Sequence, residues 1–131
     1  MDFSTPMNAQ QVAEEYRTPI EELLKLHNET CQNCMRIMRE KNADYTGGTA
    51  DPYANFRIAE MFGLHPVTGI LLRVTDKLQR IKSFILKGVL EVKGESVDDA
   101  CDDLVNYAIL MKGLLREERT KKLLKELPQW P

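Results

Sequence analysis

Apolar residues recur along this chain at intervals of three and four, the spacing of residues on one face of an α-helix. The first such stretch follows Thr18-Pro19-Ile20-Glu21, where Thr18 fits the N-cap, Pro19 the first helical position and Glu21 a capping box. The apolar residues that continue it are Leu23, Leu26, Ile37 and Met38. A helix is therefore predicted from Pro19 to about residue 43 or 44, where the glycine-rich segment 45–49 ends it.

Two Xaa-Pro pairs begin the next two predicted helices. Asp51-Pro52 precedes a short pattern over about residues 52–61, and His65-Pro66 precedes a longer one over about residues 66–86. In both, the proline suits the first turn, whose N–H groups have no helical partner. A glycine follows each stretch, as helix C-termini favour.

A second capping box, Ser96 with Asp99, begins the last predicted helix, from Val97 to about Lys125, with a break expected near Gly113. Only Val89–Val92 resembles a strand. The predicted fold class is all-α, a helical bundle of three long helices and one short helix. The predicted segments are an N-terminal arm over residues 1–17 with a turn around 11–16, a single helical domain over 18–127, and a C-terminal tail over 128–131.

The charge balance limits the classes of partner. The chain has 131 residues with 18 Lys and Arg against 20 Asp and Glu, a net charge of −2. This balance excludes a globally basic nucleic-acid binder, because phosphate contacts need a strong positive excess. No apolar run approaches the roughly 20 residues that cross a bilayer, and the N-terminus lacks a secretory pattern. A cytoplasmic location is expected, with no membrane partner and no direct nucleic-acid binding.

Cys31 and Cys34 form a Cys-x-x-Cys motif, a spacing found in redox sites and in half of a zinc site. The chain has no second such motif and no histidines at zinc-finger spacing, and Cys101 leaves an odd count. Reduced thiols within a cytosolic helix are therefore the expected state.

Acidic residues cluster on two predicted helices. Asp99, Asp103 and Asn106 are spaced i, i+4 and i+7, so they share a face beside the apolar stripe. Glu40 and Asp44, also four apart, end the first helix. The helix dipole explains acids in a first turn, but not Asp103. Two interpretations stay open: a solvated acidic face, and a cation site in which these four acids hold a metal ion.

The predicted helix over residues 66–86 carries the opposite charge. Arg73, Lys77 and Arg80 lie along one stripe, for which a solvated face is the default interpretation. Acidic and basic stripes together could also bind a divalent metal and a phosphate group, since carboxylates suit Mg²⁺ or Mn²⁺ while Arg and Lys suit phosphate oxygens. Aromatic and amide side chains could shape a base and sugar pocket. The residues predicted for that pocket are Tyr45, Asn55, Phe56 and Asn106.

Five motifs follow one another over about residues 35–112. They are Asn42-Ala43-Asp44-Tyr45-x-Gly47-Gly48, Asp51-Pro52-Tyr53-Ala54-Asn55-Phe56-Arg57, Gly69-Ile70-Leu71-Leu72-Arg73-Val74-x-Asp76-Lys77-Leu78-x-Arg80-Ile81, Lys93-Gly94-Glu95-Ser96-x-Asp98-Asp99 and Asp103-Leu104-Val105-Asn106-Tyr107-Ala108. This ordered set resembles the phage nucleotide modification associated domain 1 family. The resemblance implies a role in the nucleotide metabolism or nucleotide modification of phages, and a location in the host cytoplasm if the chain is phage-encoded.

The acidic arrangement is also similar to that of the all-α NTP pyrophosphatases, the MazG-like and dimeric dUTPase group. In that group, acidic pairs on two helices hold Mg²⁺ beside a nucleoside triphosphate. The similarity implies a MazG-like fold in which Glu40, Asp44, Asp99 and Asp103 are catalytic metal ligands. The spacing departs from the ExxE and ExxD motifs of that group, since Glu40 and Asp44 are four apart and Asp99 pairs with either Asp102 or Asp103.

Three functions are consistent with these features. The first is a Mg²⁺-dependent (deoxy)nucleoside triphosphate pyrophosphohydrolase, in which Arg73, Lys77 and Arg80 clamp phosphates while a metal-bound water attacks phosphorus. The second is a non-catalytic nucleotide binder that regulates a modification enzyme or sequesters a host-defence nucleotide signal. The third is a small helical interaction protein without a ligand site, whose acidic and basic stripes pair with each other.

A homodimer or higher homo-oligomer is expected, because the core of a chain this size is thin. Apolar residues near the C-terminus are expected to dock on the bundle or on a partner subunit. These residues are Leu123, Leu124, Leu127 and Trp130.

Overall fold

A computed structural model describes residues 6, 8–16, 18–46, 51–88 and 96–128, with the backbone alone at 13–15 and 43–46. Every regular element in these ranges is helical, so the predicted all-α class is confirmed. The elements are α1 (Ala9–Glu15), α2 (Pro19–Thr46), α3 (Ala54–Arg57), a 3₁₀ helix (Ile58–Phe62), α4 (Pro66–Lys87) and α5 (Val97–Lys125). Contacts divide the chain within α2, into Met1–Gln32 and Asn33–Pro131.

Both predicted capping boxes are confirmed. At the start of α2, Glu21 N–H donates to Thr18 Oγ1 at 3.3 Å and Thr18 N–H donates to Glu21 Oε2 at 2.8 Å. At the start of α5, Asp99 N–H donates to Ser96 Oγ at 3.1 Å and Ser96 N–H donates to Asp99 Oδ2 at 2.9 Å. Each N-cap contributes about 1 kcal/mol by pairing backbone N–H groups that the helix leaves free.

The predicted N-terminal arm contains a helix rather than a turn. α1 begins at a third capping box, in which Gln11 N–H donates to Asn8 Oδ1 at 2.9 Å and Asn8 N–H donates to Gln11 Oε1 at 3.0 Å. The sequence pattern misses this helix because no apolar period follows the cap. α2 also extends two residues beyond its predicted end, to Thr46.

Glycines end two helices but do not interrupt α5. Gly63 and Gly88 adopt left-handed φ values of 70° and 76° after the 3₁₀ helix and α4, a conformation that glycine adopts without strain. The short helix predicted over 52–61 is present but divided, since the chain is α-helical at Ala54–Arg57 and 3₁₀ at Ile58–Phe62. The predicted break near Gly113 is wrong, because α5 continues to Lys125.

The core of the second unit lies where α4 packs against α5. Ile70 of α4 and Ala100 of α5 are fully buried, and Leu114 of α5 is 4% exposed. Burial of one isoleucine side chain contributes about 1.5–3 kcal/mol. The α3 and 3₁₀ helices pack on α4, so the segment that follows residue 50 is positioned by this helix pair.

Several expectations fall on residues outside the described ranges. These are the Gly47-Gly48 loop, the strand-like Val89–Val92, the Lys93-Gly94-Glu95 motif and Trp130. Leu123, Leu124 and Leu127 are described, and each is more than half exposed. Docking of these leucines on the chain's own helices is therefore wrong, while docking on a partner subunit stays a prediction.

Candidate functional site

Side chains join α2 to the acidic turns of α5. Asn106 Nδ2 donates to the carbonyl oxygen of Cys34 at 3.0 Å, and Asn33 Nδ2 donates to a carboxylate oxygen of Asp102 at 2.9 Å. Cys34 is fully buried and Asn106 is 7% exposed. These contacts fix which face of α5 is turned towards α2. The sequence leaves Asp102 as an alternative to Asp103 for the second acidic partner of Asp99. In the structure, the Asp102 carboxylate accepts the hydrogen bond from Asn33.

Asp103 lies between lysines from two other helices. Lys77 Nζ on α4 is 2.9 Å from its Oδ2, and Lys41 Nζ on α2 is 3.2 Å from its Oδ1. The side chains of Asp103 and Lys77 are only 15% and 13% exposed. Burial acts to raise the pKa of Asp103, but the hydrogen bonds and charges of the two lysines outweigh it and hold that pKa below its ordinary value. The carboxylate is therefore ionised at neutral pH, with a cation against each oxygen.

Arg57 ties the segment 51–62 to α5. Its Nε lies 2.6 Å from Asp51 Oδ2, and its Nη2 lies 3.0 Å from Glu117 Oε1. Lys121 adds a contact of 2.6 Å to Glu117. The hydrogen bond from Arg57 lowers the pKa of Asp51, and chiefly the one from Lys121 lowers the pKa of Glu117. Two charges of the segment and two of α5 thus form a network that holds the segment in place.

Tyr53 is packed against α5 at the position of Gly113. A Cβ atom built on Gly113 would collide with the Tyr53 hydroxyl, so this close approach requires glycine. The Arg57 guanidinium also lies over the Tyr53 ring, 5.9 Å from its centroid. Both contacts position the residues that follow, Asn55 and Phe56, against the helix pair.

A cavity of about 370 Å³ opens between α2, this segment and the helix pair. Its wall combines aromatic rings and apolar side chains with amides and cations. The residues that line it are Met38, Arg39, Lys41, Asn42, Pro52, Asn55, Phe56, Arg73, Asp103, Asn106, Tyr107 and Leu110. We call it the first cavity.

A second cavity of about 660 Å³ adjoins it and shares Asn55, Phe56, Arg73 and Tyr107 with it. One side is apolar, from the 3₁₀ helix and its neighbours, and the other carries Arg73, Lys77 and Arg80 of α4. The structure therefore brings the predicted basic stripe together with Asn55 and Phe56. Arg73 lies over the Phe56 ring, 5.9 Å from its centroid, which orients the guanidinium at the wall between the cavities.

Positive charge dominates the two cavities. Their linings include five cationic side chains and two acidic ones in a chain whose net charge is −2. The cations are Arg39, Lys41, Arg73, Lys77 and Arg80, and the acids are Asp76 and Asp103. Low-dielectric walls concentrate such a field, so the cavities favour an anion.

The structure does not assemble the predicted metal ligands. Glu40 pairs with Arg36 at 2.9 Å on the exposed side of α2, and the Asp99 carboxylate is the acceptor of a capping box. Asp103 borders the first cavity, and the side chains of Asp44 and Tyr45 lie outside the described atoms. Within the part of the chain that the structure describes, no three His, Cys, Asp or Glu side chains could hold a metal ion together. The described donors do not fit the predicted Mg²⁺ site, which stays a prediction.

The charged and aromatic residues of this wall that the sequence-based set lacks are Arg39, Lys41 and Tyr107, and the amide of Asn42 is missing from it as well. Lys41 follows Cys34 by seven residues, which places the two within about 20° around α2, whereas Glu40 lies about 120° from Cys34. Helical spacing from a buried cysteine could therefore have selected Lys41. The prediction included the carboxylate Glu40 and missed the neighbouring cation Lys41.

A comparison with known protein families, curated proteins and solved structures finds no match to this chain. The resemblance to the phage nucleotide modification family therefore stays a prediction. Of the helices described, none is long and apolar enough to cross a membrane.

Proposed function

We propose that this protein binds a nucleotide, with the phosphates on the cations of the second cavity and the base and sugar in the first. The observation that supports this assignment is the pair of adjoining cavities, cationic on one side and aromatic at their shared wall. A nucleotide combines the same two chemical features, a polyanion and a flat ring.

The cations of α4 suit a chain of phosphates. Arg73, Lys77 and Arg80 line one cavity and span about 10 Å of helix, which is long enough for more than one phosphate group. A guanidinium can hold two phosphate oxygens at once, whereas a lysine acts as a point charge. Arg80 also contacts Asp76 at 3.3 Å, so an arriving phosphate competes with that carboxylate.

The first cavity suits the nucleoside. Phe56 and Tyr107 supply aromatic rings, and stacking on an aromatic side chain contributes about 1–3 kcal/mol per base. Asn42, Asn55 and Asn106 supply amides that can donate or accept hydrogen bonds. Apolar and amide groups of this kind fix the orientation of a ligand while cations supply affinity.

Asp103 acts in this proposal as the counter-ion of the phosphate site. Its carboxylate neutralises Lys41 and Lys77, and phosphate oxygens compete with it for both ammonium groups. Binding by this route needs no metal ion. Among the three functions consistent with the sequence, the proposal is therefore the nucleotide binder, which could regulate a modification enzyme or sequester a nucleotide signal.

Calorimetry on Asp103→Asn in EDTA tests the proposal. A panel of ribonucleoside and deoxyribonucleoside triphosphates is titrated into the wild-type and variant proteins. We expect wild-type binding that survives EDTA, and roughly fivefold tighter binding by Asp103→Asn, which corresponds to about 1 kcal/mol, because two lysines lose a competing anion. Asp98→Asn, an exposed acid on the same helix, is the matched control and should leave affinity unchanged. Failure of every nucleotide to bind would contradict the proposal.

Pyrophosphohydrolysis is a second proposal, supported by the ionised Asp103 on the cavity wall. It includes the MazG-like bundle and homo-oligomer that the resemblance implies, with Mg²⁺ (or Mn²⁺) as the metal ion and Glu40, Asp44, Asp99 and Asp103 as its predicted ligands, of which Asp103 borders the first cavity. In this case binding requires the metal ion, and Asp103→Asn weakens rather than strengthens it. Chromatography of nucleoside triphosphates incubated with Mg²⁺ would then show nucleoside monophosphate and pyrophosphate.

A further inference from the structure

We propose that Asn106 Oδ1 is the recognition acceptor of the first cavity and takes a hydrogen bond from an N–H or O–H group on the nucleoside part of the ligand. This inference rests on the proposed nucleotide binding and names the ligand group that the site recognises. It assigns an atom and a direction to a side chain that the sequence indicated only as part of a pocket.

The orientation of the Asn106 amide is fixed by its neighbour on α2. A carbonyl oxygen can accept but cannot donate, so the branch that lies 3.0 Å from the Cys34 carbonyl must be the NH₂ group. The other branch is therefore the oxygen. Because Cys34 is fully buried, this contact is shielded from water and the amide has little freedom to turn.

The oxygen of this amide is buried and has no partner among the residues that the structure describes. Asn106 is 7% exposed, and Oδ1 has less than 1 Å² of accessible surface and no hydrogen bond. An unpaired buried acceptor destabilises a fold, and most buried polar atoms in proteins are paired. A leucine, whose side chain branches at the same atom and has the same number of heavy atoms, would leave no unpaired acceptor at this position.

Asn106 belongs to the wall of the first cavity, so a donor on a ligand bound there reaches Oδ1 once the atoms that cover this oxygen move aside. Asn106 lines this cavity beside Tyr107 and Asn42, next to the aromatic wall that suits a base. The phosphate end of a nucleotide has acceptors only, so the donor must come from the base or the sugar. A site built around a buried acceptor discriminates strongly against analogues that lack the donor.

Asn106→Leu tests this assignment, since it removes the acceptor and keeps the branched shape and heavy-atom count of the side chain. It also removes the Nδ2 donor to Cys34, so a ligand without the nucleoside part is the control. Calorimetry in EDTA compares the tightest nucleotide of the panel with inorganic tripolyphosphate. We expect nucleotide affinity to fall by roughly tenfold while tripolyphosphate affinity is unchanged, because only the nucleoside carries the donor. Retained tripolyphosphate binding also shows that the variant is folded.

A second measurement uses wild-type protein and changes the ligand instead. A dideoxynucleotide removes the sugar hydroxyls, and a nucleotide methylated at its base N–H removes the base donor. The analogue that binds more weakly identifies which group donates the hydrogen bond to Asn106 Oδ1. The affinity for that analogue should be the same in the wild-type protein and in Asn106→Leu. Normal nucleotide binding with neither analogue weakened, or with Asn106→Leu unchanged, overturns this inference alone. Absence of any nucleotide binding overturns the proposed function and this inference with it.

Discussion

At the scale of single residues, three acids of similar sequence context have three different environments. Glu40 pairs with Arg36 at the surface, Asp99 accepts the Ser96 N–H at a helix start, and Asp103 is held between two lysines. Only Asp103 combines low exposure with cations on both oxygens, so its ionisation is coupled to folding.

This coupling predicts a pH dependence for Asp103→Asn. The folded pKa of Asp103 lies below the unfolded value of about 4, so the carboxylate stabilises the fold above that value and the contribution is lost as pH falls through the folded pKa. We expect the variant to lower the free energy of unfolding by roughly 1–3 kcal/mol at neutral pH, with a smaller loss below about pH 3. Urea unfolding of the wild-type and variant proteins, at neutral pH and at low pH, measures this loss of unfolding free energy. An equal loss at both would contradict the ion-pair explanation.

At the scale of elements, the segment 51–62 is shaped by its contacts with α5 rather than by its own helical propensity. Its α-helix has only four residues before it tightens to 3₁₀. Arg57 anchors one side of it to Glu117, and the Tyr53 hydroxyl occupies the space that Gly113 leaves open. Glycine in the middle of α5 is therefore explained by packing and not by a helix break.

A double-mutant cycle between Gly113 and Tyr53 tests this contact. Gly113→Ala alone should destabilise the protein by roughly 1–2 kcal/mol, because the collision with Tyr53 outweighs the gain in helix propensity. In the Tyr53→Ala background, the same change should stabilise it by about 0.5–1 kcal/mol. Thermal or urea unfolding of the four proteins gives the coupling. Equal stabilisation by Gly113→Ala in both backgrounds would show that the ring does not restrict this position.

At the scale of the whole molecule, the described residues leave much apolar surface in water. Leu71, Leu78 and Ile85 recur every seven residues on α4, and their exposed fractions are 48%, 53% and 75%. A regular stripe of this kind is typical of a surface that another helix covers. We therefore expect a homodimer, in keeping with the leucines that remain exposed near the end of α5.

Sedimentation of an α4 variant tests the expected dimer. Wild-type protein should sediment as a dimer, and Leu78→Glu/Ile85→Glu should sediment as a monomer with unchanged helical circular dichroism, because buried unpaired carboxylates oppose association. Gln79→Glu adds one negative charge at an exposed polar position of the same helix and is the control. A monomeric wild-type protein would contradict the expectation.

The sequence by itself determined the helices of the second unit. Capping boxes, Xaa-Pro pairs and terminal glycines act within a few residues of chain, so they predict where α4 and α5 begin and end without knowledge of the rest. Helical spacing also placed Arg73, Lys77 and Arg80 on one stripe of α4, and all three line the second cavity.

Only the tertiary structure decided which charges meet. Spacing assigns a residue to a face of its own helix, but not to the neighbour that this face contacts, because that depends on how distant segments pack. For this reason Lys41 and Tyr107 were missed, Asp99 was predicted as a metal ligand in addition to its helix cap, and Asp103 was expected beside acids. The packing of α2, α4 and α5 instead surrounds Asp103 with lysines and makes the site one that favours anions.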